Sequence, residues 1–306
     1  MKCLVTGGAG FIGSNIAEAL VEKGHDVVVL DNFYLGRKNN LSAIINKIEL
    51  VEGDIINRKK VDEVMKGVDF VFHQAAASSS PMFIEDLENS VYVNVNGFIN
   101  ILESARKHDV KRVMYASSSS IYGNQDGPLK EDMRVIPPNF YASTKLMNEH
   151  TAFSYHHQYG LELVGFRYMS VYGPHEESKG IFANIVSQFL WWMREGKRPV
   201  IYGNGNQGRD FVFAKDVASA NILAMEKSKL GNEVLNVGTG KEVTLNELVV
   251  ILNKILGKSI KPEYVENKVK NYILSQRADI TKIKNVLGWE PKFLLEDGIR
   301  ITAGSK

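Results

Sequence analysis

"TGGAGFIG", Thr6 to Gly13, is the stretch on which the reading of this chain turns. Gly8, Gly10 and Gly13 fit G-x-G-x-x-G, and Gly7, Gly10 and Gly13 fit G-x-x-G-x-x-G. The run before it, "KCLV", is apolar, as expected of a buried strand. The stretch after it, "FIGSNIAEALVEKG", sets Ile12, Ile16, Ala19 and Leu20 at helical spacing. Glycines between strand and helix allow a tight reversal and let a pyrophosphate approach the backbone. The helix start behind them offers unpaired N–H groups and the positive end of the helix dipole. The next apolar run, "DVVVLD", ends in Asp31, at the roughly twenty-residue interval such a unit requires. A carboxylate there accepts hydrogen bonds from ribose hydroxyls and repels a 2′-phosphate, and Asn32, not an arginine, follows it. Turn, helix and acid together predict a dinucleotide site that prefers NAD to NADP. Arg37 in the same loop is the one residue that argues the other way. Asp54 and Ile55 end the third run, "IELVEGDI", where an adenine ring would lie, although Asp54 also suits a plain turn.

The rhythm repeats outward. "VDFVFHQAA" and "VKRVMYASS" are apolar runs that end in small or polar residues. Helical stretches separate them, the longest from about Asp86 to His108, and another runs from about Tyr141 to Tyr159 before the strand "LELVGFRY". Such β-α-β alternation predicts an α/β fold with a doubly wound parallel sheet. After about residue 168 the pattern changes. "VYGPHEESKG" reads as a polar loop, "FANIVSQFLWWMREG" as a helix with Trp191 and Trp192 packing, and "NGNQGRDFV" as a glycine-rich turn into a strand. The expected division is a dinucleotide-binding domain at 1–168, with a returning segment near 209–238, and a smaller, discontinuous C-terminal α/β substrate-binding region over 169–306. There is no internal repeat and no low-complexity linker.

Composition narrows the class. The chain has 306 residues, 44% hydrophobic and 24% charged, with 37 basic and 35 acidic side chains and a net charge of +2. That balance carries no electrostatic footprint for nucleic acid or an acidic membrane. The single cysteine, Cys3, excludes an internal disulfide and reads as a buried strand residue. The apolar start is too short for a signal peptide, and no apolar stretch approaches the ~20 residues of a membrane span. A soluble, cytoplasmic protein without a metal site is expected.

"NFYASTKLMNE" places Tyr141 and Lys145 one helical turn apart on one face. Tyrosine is a poor base at its ordinary pKa of ~10. A nearby ammonium favours the phenolate, and the positive nicotinamide ring of NAD adds to the effect. Tyr-x-x-x-Lys is common by chance; the dinucleotide turn upstream and the serine-rich run "SSSSIYG" between them give it meaning. His73 reads as a structural strand-end residue, and His156 and His157 as a solvated helix end.

With these motifs the chain resembles the extended short-chain dehydrogenases/reductases, and most of all the UDP-galactose 4-epimerases. The resemblance spans nearly the whole chain: "TGGAGFIG", "FHQAA", "NVNG", "SSSSIYG", "YASTK", "FRYMSVYGP", "GRDFVFAKDVA", "NVGTG" and "ADITKIKNVLGWEP". It implies a Rossmann sheet, a homodimer built through two long helices, and NAD held as a prosthetic group. It implies NAD contacts from Gly7, Gly10, Phe11, Ile12, Asp31, Asn32, Gly36, Asp54, Ile55, Gln74, Ala75, Ala76 and Met169, with Tyr141 and Lys145. The catalytic serine of that family stands five residues before the Tyr-Gly glycine, here Gly123, which makes it Ser118. The implied reaction interconverts UDP-glucose and UDP-galactose through a 4-keto sugar. Tyr141 exchanges the 4-hydroxyl proton, Ser118 bridges the sugar oxygen and Tyr141, and Lys145 holds the nicotinamide ribose.

Family dehydratases carry Asp and Glu after the catalytic residue, and decarboxylases keep a glutamate at the second position. Ser119 and Ser120 stand here, so epimerisation ranks first. The resemblance places Ser170, Asn184, Ile185, Tyr202, Arg209 and Gln276, with Ser118 and Tyr141, on a UDP-hexose substrate. Arg209 would grip the diphosphate, and Gln276 would face the sugar's 2-substituent. Two departures touch the nucleotide end. Ser170 stands where the family usually has asparagine. The usual Arg-x-Gly-Asp before "ADI" is replaced by "NKVKNYILSQR", where Lys268 or Lys270 is the candidate for the missing arginine. Epimerases of N-acetylated or uronic sugars, a related nucleotide-sugar dehydratase or decarboxylase, and a non-catalytic NAD-binding protein are the alternatives.

Overall fold

The computed structural model describes residues 1–268 and 272–304. The apolar runs form parallel strands: β1 (Lys2–Thr6), β2 (Asp26–Asp31), β3 (Ile48–Glu52), β4 (Phe70–His73), β5 (Arg112–Ala116) and β6 (Glu162–Tyr168). Side chains alternate across each strand. Cys3, Val5, Val27 and Val29 therefore join the core on one face of the sheet, and Leu4, Val28 and Leu30 the core on the other. The first face is covered by α1 (Phe11–Glu22), through Ile16, Ala17 and Leu20. The second is covered by α2 (Arg58–Val64), α4 (Leu87–Lys107) and α5 (Phe140–Tyr159), with Phe98, Ile101 and Leu102 at its centre. A short helix, α3 (Ser80–Glu85), precedes α4. Cys3 is fully buried, as a strand residue should be.

The helix ends follow from side-chain caps. Asp86 accepts from Asn89 N at the start of α4, and Asn139 from Ala142 N at the start of α5. Gly160 closes α5 in the left-handed region at φ 72°. His156 there is no free solvated end: its Nδ1 lies 2.9 Å from the carbonyl oxygen of Leu161.

The second half contributes β7 (Ser170–Tyr172), β8 (Val200–Tyr202), β9 (Gly208–Arg209), β10 (Phe211–Phe213) and β11 (Asn232–Val237). β11 returns to the main sheet and pairs with β6 from Leu163↔Asn232 to Tyr168↔Val237. The seven-stranded order is β11-β6-β5-β4-β1-β2-β3, and it reverses direction of growth between β1 and β4. A ligand crevice is expected at the carboxyl ends of the strands flanking that reversal. Between β10 and β11, α7 (Ala214–Glu226) packs with α1 on the first face.

A separate apolar core joins α6 (Ile185–Arg194), α8 (Leu245–Leu256) and the last helix, Leu295–Gly304, with β8 and β10. Trp192 packs on Phe189 there. The helix anticipated from Phe182 begins only at Ile185, because Asn184 caps it by accepting from Val186 N. Among the described residues no helix is long and apolar enough to cross a membrane, and no cluster of His, Cys, Asp or Glu could hold a metal ion.

Candidate active site

The carboxyl ends of β1, β2, β4, β5 and β6 open into one cleft of about 700 Å³. Its floor is the glycine turn. Gly7 has φ +66°, and a Cβ on it would lie 2.7 Å from Ala75 N. A Cβ on Gly13 would lie 2.1 Å from Gly7 O, so the helix could not sit this close to the strand with any other residue. The N-cap of α1 is Gly10, without a side-chain cap and without an acid in the first turn. Its leading N–H groups are thus left for a ligand.

Asp31 closes one end. Its Oδ2 accepts from Ala9 N at 2.9 Å and its Oδ1 from Phe33 N at 2.8 Å. Burial raises its carboxyl above the ordinary value, and these backbone bonds oppose that shift. With Gly10 N–H also turned toward it, the carboxylate still has acceptor capacity left for a ribose hydroxyl. Asn32 Nδ2 donates to Asp54 Oδ2 at 2.7 Å, tying the ends of β2 and β3. Arg37 turns to the backbone, with Nη1 2.8 Å from Gly36 O, and does not line the cleft.

Ser118, Tyr141 and Lys145 converge at the other end of the same wall. Ser118 follows β5 and caps a tight turn at Ser119–Tyr122, its Oγ 2.8 Å from Ser120 Oγ and accepting from Ser120 N at 3.1 Å. Lys145 is buried, donates to Ala116 O at 2.9 Å and lies 5.8 Å from the Tyr141 ring centroid. Burial draws its ammonium down to about 8. Burial pushes the Tyr141 phenol up, and the bond with Ser118 pulls it back. A hydrogen bond to Ala116 O leaves the Lys145 charge in place beside the ring, so this ammonium, with the positive nicotinamide ring when NAD is bound, also opposes the burial shift. His73 is structural, with Nδ1 2.8 Å from Thr6 Oγ1 and burial lowering it to about 3.

Every residue assigned to the cofactor lines the cleft: Gly7, Gly10, Phe11, Ile12, Asp31, Asn32, Gly36, Asp54, Ile55, Gln74, Ala75, Ala76, Tyr141, Lys145 and Met169. Ser170 and Asn184 line it too. Ile185, Tyr202, Arg209 and Gln276 do not. Arg209 stacks over Tyr272 at 5.5 Å and donates to Gly208 O. Gln207 joins Tyr202 O to the Tyr272 hydroxyl, and Gln276 N donates to Glu242 Oε1 at 3.3 Å. Arg209 and Gln207 thus meet at Tyr272, apart from the main cleft. Lys268 is exposed and pairs with Glu266 at 3.5 Å, and Lys270 lies outside the described residues.

The family model for the NAD dependent epimerase/dehydratase family matches residues 3–238. The chain belongs to that family. The UDP-glucose 4-epimerase of Mycolicibacterium smegmatis is 35% identical to it over 312 residues, covering 99% of this chain and 97% of that protein. The UDP-N-acetylglucosamine 4-epimerase of Methanobrevibacter ruminantium M1, solved with UDP-N-acetylmuramic acid, is similar with a TM-score of 0.93. Its identity is 32%, over 99% of this chain and 96% of that one. The UDP-glucuronic acid 4-epimerase of Bacillus cereus, solved with UDP-glucuronic acid and NAD, has a TM-score of 0.91. It is 29% identical, over 99% of this chain and 98% of that one.

This epimerase/dehydratase-family cleft fits NAD. The glycine floor, the uncapped helix start and Asp31 suit its diphosphate and ribose. Gln74 Nε2 is buried in the wall without a partner, a donor awaiting an acceptor. The family member also carries features that spacing did not expose. Ser117 Oγ donates to Glu149 Oε1, and Arg167 grips Glu149 through both oxygens at 2.9 and 2.8 Å. Glu149 stands one turn beyond Lys145, so this buried pair fixes α5 against β5 and β6. Lys179 lines the cleft from what sequence showed only as a polar loop, and Phe182 from the first position of the anticipated helix.

Proposed function

We propose that the protein is a UDP-glucose 4-epimerase, interconverting UDP-glucose and UDP-galactose in galactose metabolism. The observation that carries the reading is the meeting of Ser118, Tyr141 and Lys145 beside the dinucleotide floor, with hydroxyls alone following Ser118. NAD, when bound, supplies a hydride acceptor that can return the hydride, and its positive ring favours the phenolate. Tyr141 then exchanges the proton of the sugar 4-hydroxyl. Ser118 holds that oxygen through its hydroxyl. Lys145 keeps Tyr141 in register from its anchor on Ala116. Ser119 and Ser120 have no carboxylate with which to eliminate water or assist loss of carbon dioxide. Ser170 and Asn184 are the substrate contacts within the cleft, and Tyr202, Arg209 and Gln276, with Ile185, are assigned the nucleotide and sugar margins.

A second reading is epimerisation of an N-acetylated or uronic UDP-sugar. It is favoured by the similarity to proteins named for those substrates and by Gln276, whose amide is smaller than a tyrosine ring. Purified protein assayed without added cofactor against UDP-, dTDP- and GDP-sugars tests both. UDP-glucose and UDP-galactose should turn over fastest. Turnover confined to a uronic or N-acetyl pair would transfer the assignment to that pair, and no turnover of any sugar would leave only NAD binding.

A homodimer is part of the proposal. α4 and α5 pack together, and their outer face exposes Tyr92, Met147, Phe153 and Tyr159. Light scattering on purified protein should give twice the chain mass of 34.2 kDa.

A further inference from the structure

The segment between β7 and α6 carries a cation into the cleft. It runs from His175, at φ 72°, through a tight turn at Glu176–Phe182 to the cap Asn184. Its start is fastened to the dinucleotide half. His175 Nδ1 lies 2.9 Å from Ser14 Oγ, and Asn15 Nδ2 donates to Pro174 O at 3.1 Å. Its end packs Phe182 into the apolar cluster of Met82, Phe83, Leu35 and Tyr141. Between these anchors stands Lys179, lining the cleft with its Nζ 5.7 Å from the centroid of the Phe11 ring. Phe11 is the first residue of α1, so the ammonium stands over the side chain that opens that helix, on the wall of the same cleft.

The nearest acid does not consume this cation. Glu176 is 1% exposed and already accepts from Asn184 N at 2.7 Å and Ser187 Oγ at 2.6 Å. Its Oε1 is 3.8 Å from Lys179 Nζ, a charge pair but too long for a good hydrogen bond. Glu176 thus fixes the segment and orients Lys179, whose donors stay available to a stronger acceptor. The acceptor that the uncapped helix start calls for is a phosphate oxygen.

We propose that Lys179 is a cofactor-binding residue that neutralises the diphosphate of the dinucleotide, opposite the backbone N–H groups of the glycine turn. This rests on the NAD site and not on which sugar is epimerised. A UDP-sugar also carries a diphosphate, so the test separates the two sources. Position favours the dinucleotide, because Lys179 faces Phe11 of the glycine-turn helix.

The experiment uses protein stripped of nucleotide. NADH affinity is read from the fluorescence of bound NADH, and UDP affinity by calorimetry, for wild type, Lys179→Met and Lys179→Arg. Methionine keeps the stem over Phe11 and removes the charge. NADH affinity should fall about tenfold in Lys179→Met, equivalent to about 1.4 kcal/mol. It should recover largely in Lys179→Arg, with UDP affinity unchanged throughout. NADH affinity of the wild type should weaken with added salt, and the slope should flatten in Lys179→Met. Unchanged NADH affinity, or a loss that falls on UDP instead, overturns the proposal. So does a salt-independent wild type, which settles the point even where the methionine variant fails to fold.

Discussion

Lys145 Nζ donates to the carbonyl oxygen of Ala116 at 2.9 Å. One bond therefore joins α5 to the end of β5, and with it the turn that bears Tyr141 to the strand end that leads to Ser118. The spacing of the Ser118 and Tyr141 hydroxyls is set by this contact and by the Ser117–Glu149–Arg167 bonds beneath it.

Tyr141→Phe removes the proton acceptor and keeps the ring that meets Phe83 edge-on at 5.8 Å. Positioned acid–base groups contribute ~10²–10⁴-fold, so turnover should fall by at least about a hundredfold while NAD stays bound. Near-normal turnover with any UDP-sugar would remove Tyr141 from the chemistry.

Lys145→Met has separate effects on activity and on the pH dependence of stability. The wild-type ammonium titrates at about 8 because burial penalises its charge, against an ordinary lysine value of 10.5. Between those values the unfolded chain binds more protons than the folded one, so wild-type stability rises with pH across that window. The slope is at most about 1.4 kcal/mol per pH unit. The methionine variant should lack this rise and should be less active, with its pH optimum displaced upward. Urea unfolding of both proteins on either side of the window checks the sign. A parallel pH dependence in the two would show that burial does not draw the Lys145 ammonium down.

Asp31→Ala should raise NADP affinity relative to NAD by removing the carboxylate that repels a 2′-phosphate. The nucleotide released by acid from fresh wild-type protein should be NAD. NADP in that extract would overturn the role assigned to Asp31.

Gly7→Ala should weaken NAD retention and lower the melting temperature together. The added Cβ meets Ala75 N at 2.7 Å, at a φ of +66° that itself costs about 1–2 kcal/mol for an L-residue. Gly24→Ala is the control: its φ is +78° but nothing lies within 4 Å of the new Cβ. It should carry the backbone cost without losing nucleotide. Equal NAD loss in both variants would mean that the close approach to Ala75 is irrelevant.

Gln276→Ser should raise activity on UDP-N-acetylglucosamine relative to UDP-glucose, because it shortens a buried side chain assigned to the sugar's 2-substituent. An unchanged ratio would place Gln276 away from the sugar and remove it from the substrate contacts.

The parts of the site that were legible in sequence are local ones. The glycine turn, α1 and Asp31 fall within one β-α-β unit, and Tyr141 and Lys145 are one helical turn apart, so spacing alone brings them together. Ser118 needed the family resemblance, since four adjacent serines look alike until β5 ends at Ala116 and turns. Lys179 was illegible because its segment has no helical or strand period and its value lies in what α1 leaves uncapped. Glu149, Arg167 and Ser117 come from three elements far apart in sequence, and no pattern links them before the sheet is assembled. The burial that raises the Tyr141 phenol was likewise illegible, because Tyr-x-x-x-Lys shows the ammonium beside the ring but not how deeply the ring is enclosed.

The return of β11 to the sheet beside β6 sets a limit on how the molecule can be divided. A fragment cut after Tyr168 would keep the glycine turn, Asp31, Ser118, Tyr141 and Lys145, yet expose an unpaired strand edge along β6. It would also lose α7, which covers α1. Bare edges of this kind recruit other chains. The amino-terminal piece should therefore be obtained as aggregate rather than as a miniature dinucleotide binder, and the two portions should be inherited and expressed as one unit.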